Sequence, residues 1–271
     1  MPIDVAPMWD FKHPEVSEQR FRSALQGAVG DDALILQTQL ARTFGIRKDF
    51  ATARALLKNI EPSLATAGAE ARIRYQLELG RTYASATHAP ELLTDDAKER
   101  ARAAYDEALR TAQAAHLDGL AIDAIHMLGF VDTSPADQLR WAQEALAVVE
   151  ASTQADAKKW EASIRNNVGY ALHRLGRYDE ALQQFNAAVT LRERGSDTGA
   201  TRVAYWMVAW TLRAMKRNDE ALQIQLRLER EGDAAGDPDP YVFEELETLY
   251  REAGNPERAA FYANRRRAAA E

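Results

Sequence analysis

Proton transfer and metal ligation near neutral pH fall first to histidine, and this chain carries five: His13, His88, His116, His126 and His173. None stands in an HExxH motif. No two lie four residues apart, the spacing that would set two imidazoles on one helical face around a metal. Each is therefore expected at the surface or near a helix end, with His88 inside an insertion. The chain has no cysteine, which removes disulfides, thiol nucleophiles and thiolate-held zinc or iron–sulfur sites. It has no nucleophile elbow and no glycine-rich phosphate loop. The acidic stretch GDPDPYVFEE lacks the glycine and ligand spacing of a calcium loop and reads instead as a turn and a helix start. Asp95-Asp96 and Glu244-Glu245 suit solvated helices. The expectation is a protein that is not an enzyme, with no catalytic residue, no metal and no cofactor.

Composition points the same way. The 271 residues are 46% hydrophobic and 28% charged, an ordinary globular balance. The net charge is −7, whereas nucleic-acid binders show a basic stripe, so no nucleic acid is expected. The cluster Arg265-Arg266-Arg267 suits the last turn of a C-terminal helix. No apolar run approaches membrane-spanning length, and no basic segment followed by an apolar run opens the chain. The expected location is cytoplasmic, with no membrane partner.

The elements that position any site come from internal repeats. In GRYDEALQQFNAAVTL, Ala181, Phe185 and Ala188 share one helical face. Just upstream, Val168, Gly169 and Leu172 line another helix, which Gly176 closes. Small residues at such places mark where two helices approach closely. Asn218 to Leu222 repeats the YDEAL turn 40 residues on, and Gly254 to Ala259 repeats it again. Upstream, Asp49 to Leu56 occupies the matching place. Leu79, Gly80 and Tyr83 precede Ala101, Tyr105 and Ala108 across the insertion SATHAPELLTDDAKER. Leu128, Gly129 and Val131 pair with DQLRWAQEALAVV in the least regular unit.

These residues resemble the tetratricopeptide repeat family, whose motif sets small or apolar residues in the first helix against alanine, an aromatic and alanine in the second. The match is fullest through Val168, Gly169, Leu172, Ala181, Phe185 and Ala188. The fifth unit has Val208, Ala209, Leu212 and Ala221, with Gln225 in place of the aromatic. The sixth has Leu246, Tyr250 and Ala259, and the first has Leu40, Ala41, Phe44, Ala53 and Leu57. The tryptophan near the start of the motif is missing throughout. The unit spacing exceeds the standard ~34 residues, as in the long-repeat branch that includes kinesin light chains and bacterial peptide-sensing regulators.

The resemblance implies an all-α, right-handed superhelical solenoid of about six hairpins. Its units fall near 31–66, 69–116, 118–153, 158–195, 199–232 and 238–271. Residues 1–30 read as an N-terminal segment and capping helix. Pro14 suits its first turn, Phe21, Leu25 and Val29 are spaced to bury one face, and Trp9 and Phe11 anchor it. A cap shields the apolar side that a first repeat would otherwise expose.

In this family geometry the free positions of each first helix line a concave groove. They are Thr38, Gln39 and Arg42; Glu78 and Arg81; His126, Met127 and Phe130; Asn166, Asn167 and Tyr170; Trp206, Met207, Trp210 and Arg213; and Glu244, Glu245, Thr248 and Arg251. Trp206 and Trp210 lie one turn apart beside Met207, residue types favoured at interfaces. The amides of Asn166 and Asn167 can donate to and accept from an extended backbone, and Arg42 and Arg81 can receive carboxylates. The lysines of the family's clamp for chain-terminal carboxylates are absent.

The expected function is a non-catalytic module holding a peptide or protein segment in the groove. The expected contact residues are Arg42, Arg81, His126, Phe130, Asn166, Asn167, Tyr170, Trp206, Met207, Trp210, Arg213 and Glu245. The alternatives are a peptide or small-ligand sensor that changes conformation and partner on binding, and a structural subunit that self-assembles into a homo-oligomer.

Overall fold

A computed structural model describes residues 3–269; the outermost limits assigned above, residues 1 and 271, lie outside them. Among the described residues every regular element is helical. The chain divides between Trp160 and Glu161 into two compact units.

The first unit contains α1 (Pro14–Leu25), α2 (Gly30–Ile46), α3 (Phe50–Ile60), α4 (Ala69–Arg81), α5 (Asp95–Ala114), α6 (Asp118–Val131), α7 (Pro135–Ala151) and the short α8 (Ala155–Lys158). Helix α2 packs on α3, α4 on α5 and α6 on α7, while the first helices neighbour one another, α2 with α4 and α4 with α6. The second unit contains α9 (Glu161–Arg174), α10 (Tyr178–Arg192), α11 (Thr198–Ala214), α12 (Asn218–Ala235), α13 (Pro240–Glu252) and α14 (Pro256–Ala269). It repeats the scheme, with α9 beside α11 and α11 beside α13. Within each unit the two helices of a hairpin pack on each other and successive hairpins pack together, the arrangement of a stacked repeat.

Four hairpin turns close identically. One residue after the first helix takes the left-handed conformation: Lys48 (φ 65°), Gly176 (75°), Lys216 (61°) or Gly254 (70°). The next N–H then reaches back five residues, Asp49 to Phe44, Arg177 to Leu172, Arg217 to Leu212 and Asn255 to Tyr250, each at 2.9 Å. This satisfies a carbonyl that the helix end leaves open. Asp49 and Asn255 also start the following helix by accepting from the N–H of Thr52 (3.1 Å) and Arg258 (3.0 Å).

The N-terminal segment packs against α1 and α2. Trp9 stacks on Phe11 at 4.7 Å, meets the buried Phe21 edge-on at 5.0 Å, and donates its indole N–H to Gln39 at 3.1 Å. Val29, expected to share the buried face of α1, is 82% exposed. The helix ends at Leu25, and Val29 sits in extended backbone immediately before α2.

Within two hairpins the helices approach until a glycine touches an aromatic ring. A Cβ on Gly80 would lie 2.4 Å from the Tyr105 ring, and one on Gly169 would lie 2.7 Å from the Phe185 ring. Gly129, which aligns with them, faces open space. Helix α7 brings no ring to that height, because Trp141 turns aside to donate to Asp132 at 2.9 Å. Urea denaturation should therefore separate these glycines. Gly80→Ala forces overpacking and should cost about 1–3 kcal/mol, whereas Gly129→Ala should gain about 0.5–1 kcal/mol from helix propensity alone.

Candidate functional site

In the first unit, first-helix residues from three hairpins converge on a cavity of about 230 Å³. Arg42 comes from α2, Glu78 and Arg81 from α4, and Asp123, His126 and Phe130 from α6. Each first helix turns its polar row to the same side, which is why residues one repeat apart can meet. Arg81 donates to Glu78 at 2.6 Å and to Asp123 at 2.5 Å. Burial opposes the charge of Arg81, but Asp123 and Glu78 outweigh it and make the guanidinium more basic than usual. Burial likewise opposes the charge of Asp123, yet Arg81 and Arg42 hold its carboxyl below the usual range.

Arg42 is held differently. Its nearest carboxylate oxygen, on Glu78, lies 3.7 Å away, and its guanidinium sits over the rings of Trp9 (5.4 Å) and Phe11 (5.5 Å). Burial and the Arg81 charge together push it below the usual arginine range. Half-buried His126 meets Phe130 edge-on at 5.2 Å and lies 5.7 Å from Trp160; burial lowers its pKa, which favours the neutral ring. The insertion after Ser85 reaches the cavity through Ser85, Ala86 and Thr87. His88 fixes this loop by stacking on Phe50 at 3.9 Å and donating from Nε2 to the Thr82 carbonyl at 3.2 Å, so its Nδ1 accepts from Ser85 Oγ at 3.0 Å. Thr38 and Gln39, expected on this face, are instead buried: Thr38 bonds the Ile35 carbonyl and Gln39 the Trp9 indole.

In the second unit the expected residues form a strip along α9, α11 and α13. Asn166 and Asn167 line a cavity with Arg192 and Val203. One turn further, Tyr170 stacks on Trp210 at 5.9 Å, Trp210 on Trp206 at 5.8 Å, and Trp206 meets Tyr241 edge-on at 6.4 Å. Met207 is half-buried between the two indoles in sequence. Tyr170 is 40%, Val203 50% and Tyr241 64% exposed. Arg213 and Glu245, both expected to face a partner, instead form a two-pronged pair with each other, both contacts at 2.8 Å. Such a pair fixes α11 against α13.

Two residues of this strip escaped the sequence reading. Tyr241 lies at the start of α13, outside the periodic positions. His173, expected at the surface or a helix end, lies in the last turn of α9 but is buried, stacked on Trp210 at 3.3 Å with Nδ1 3.1 Å from Thr211 Oγ1. That contact spans 38 residues, about one repeat, so the period itself was the available signal. Among the described residues no group of three or more His, Asp or Glu could hold a metal ion, and no helix is long and apolar enough to cross a membrane.

The tetratricopeptide repeat family matches residues 160–229. Over nearly the whole chain the backbone also follows solved repeat proteins. The apo form of RapI superposes with a TM-score of 0.69 at 12% identity, covering 95% of this chain and 71% of its own. A STAND signal-transduction ATPase with a tetratricopeptide repeat sensor, from Pyrococcus horikoshii, gives 0.69 at 12% identity over 94% of this chain and 38% of its own. This is a tetratricopeptide-repeat fold. A Rap protein complexed with competence and sporulation factor shares it with a TM-score of 0.57 at 16% identity, over 95% of this chain and 80% of its own. No curated protein matches the sequence.

Two tests of the site's internal chemistry follow from these contacts. Burial, with a further push from Arg213, lowers the His173 pKa from 6.5 to about 4. The unfolded chain thus binds a proton that the folded ring refuses, so stability falls as pH drops from about 6.5 to about 4. Thermal denaturation across that window should show a shallower decline for His173→Gln than for the unaltered protein. Arg81→Leu leaves Glu78 and Asp123 as uncompensated buried charges. It should cost roughly 3–5 kcal/mol in urea denaturation.

Proposed function

We propose that the protein is a non-catalytic interaction module whose second unit holds an extended peptide or protein segment against the aromatic strip of α9, α11 and α13. The carrying observation is the run Tyr170–Trp210–Trp206–Tyr241, continuous in ring contact yet exposed at both ends. Packing accounts for the inner face of Trp210, which lies on His173; it does not account for two tyrosines and Val203 left in water beside it. Aromatic residues in such patches commonly carry binding energy. Asn166 and Asn167, at the far end of the strip, supply amides for a partner's backbone, and the Asn166 carbonyl oxygen is buried without a hydrogen-bond partner. The fold supports the reading, since tetratricopeptide repeats are interaction modules that usually carry no catalysis, and a similarly folded Rap protein is complexed with competence and sporulation factor.

Panning a displayed random-peptide library against the purified protein tests this directly. Recovered sequences should be rich in aromatic and aliphatic residues. Trp206→Ala and Tyr241→Ala should each weaken the selected peptides at least about tenfold, the effect of ~1.4 kcal/mol. Because Tyr241 is largely solvent-exposed, its substitution spares the fold, and undiminished affinity in that variant would place the contact elsewhere.

A further inference from the structure

We infer that the cavity of the first unit is a binding site for a single free α-amino acid with an apolar side chain. At its polar end two opposite charges lie side by side with hydrogen-bonding capacity left over, since Arg81 takes up only one oxygen of Glu78. The Arg42 guanidinium stands 3.7 Å from Glu78, outside hydrogen-bond range. Glu78 is 3% exposed, and its second carboxylate oxygen, Oε2, has no hydrogen-bond donor among the described residues. Arg81, lodged between Glu78 and Asp123, is already committed to both carboxylates. A ligand that completes both must bring an anion for Arg42 and a donor cation for Glu78 within one small frame. An α-carboxylate and an α-ammonium on one carbon do this. Arg42 can turn to an incoming carboxylate without breaking a hydrogen bond, giving up only its contacts with the Trp9 and Phe11 rings.

The net charge of the cavity argues for a zwitterion over a simple ion. Arg42 and Arg81 balance Glu78 and Asp123, and the desolvation of His126 favours its neutral ring. A ligand of zero net charge preserves that balance, whereas a bare anion or cation would leave an uncompensated charge away from water. The other end of the cavity is apolar, formed by Ile46, Met127, Phe130 and Trp160, and matches an aliphatic or aromatic side chain. The volume suits one amino acid: about 230 Å³ is below the roughly 300–1,000 Å³ typical of drug-sized sites. The site lies wholly in the first unit, so it is independent of the aromatic strip.

Isothermal titration calorimetry of the intact chain with L-phenylalanine, L-methionine and L-leucine tests the assignment. At least one should bind with one-to-one stoichiometry and raise the melting temperature. N-acetyl-L-phenylalanine, which lacks the ammonium, and L-phenylalaninamide, which lacks the carboxylate, should each bind at least about tenfold more weakly than L-phenylalanine. Arg42→Gln with unchanged circular dichroism should show a similar loss; if that variant does not fold, the two capped analogues decide the matter on the unaltered protein. Absence of binding by all three amino acids overturns the proposal. Equal binding of the acetylated compound also overturns it, because the site would then read only a carboxylate.

Discussion

In two hairpins of this protein the helices pack at the distance a glycine permits. Gly80 and Gly169 lie against the rings of Tyr105 and Phe185 so closely that one added carbon would overlap them, and alanines such as Ala108 and Ala181, both fully buried, continue the seam. This close approach fixes how high one helix stands against its mate. It therefore fixes where the outward row of each first helix points. The shared left-handed turn reinforces the register, since the same five-residue hydrogen bond closes hairpins whether the turn residue is glycine or lysine. Local backbone geometry and side-chain volume thus set the register of the hairpins that share these devices, and the remaining positions are what they leave over.

What is left over differs between the units for an electrostatic reason. In the first unit the free rows carry arginines and acids, and their burial compels pairing. Arg81 accordingly bridges two carboxylates on adjacent helices, and the remaining charges are Arg42 and one oxygen of Glu78. In the second unit the free rows carry aromatic rings, of which Tyr170 and Tyr241 remain in contact with water. The two-pronged pair of Arg213 with Glu245 sits beside the rings and ties α11 to α13. One fold therefore presents a charge-balanced cavity and an aromatic strip, two surfaces of different chemistry.

The hairpins were legible because their determinants are local. Periodic small residues, aromatics and turn residues read out the helices of α9 and α10 almost residue by residue, and the positions they left free named Trp206, Trp210, Arg42 and Arg81. The same alignment failed at Gly129, where Trp141 turns to Asp132 and no ring meets the glycine. It also failed at Val29, where the chain straightens before α2 and exposes a residue that periodicity placed inside.

The sequence by itself determined the helical repeat and the small, aromatic and turn residues that build it. Only the tertiary structure decided which of those residues satisfy one another. Arg81 finds Asp123 across 42 residues, Arg213 finds Glu245 across 32, and His173 finds Thr211 across 38. These separations vary because the loops between helices vary, and no local pattern encodes the sum. Burial then does the selecting: a charged or polar group removed from water must be met by another, and which one is within reach depends on the stacking of neighbouring hairpins.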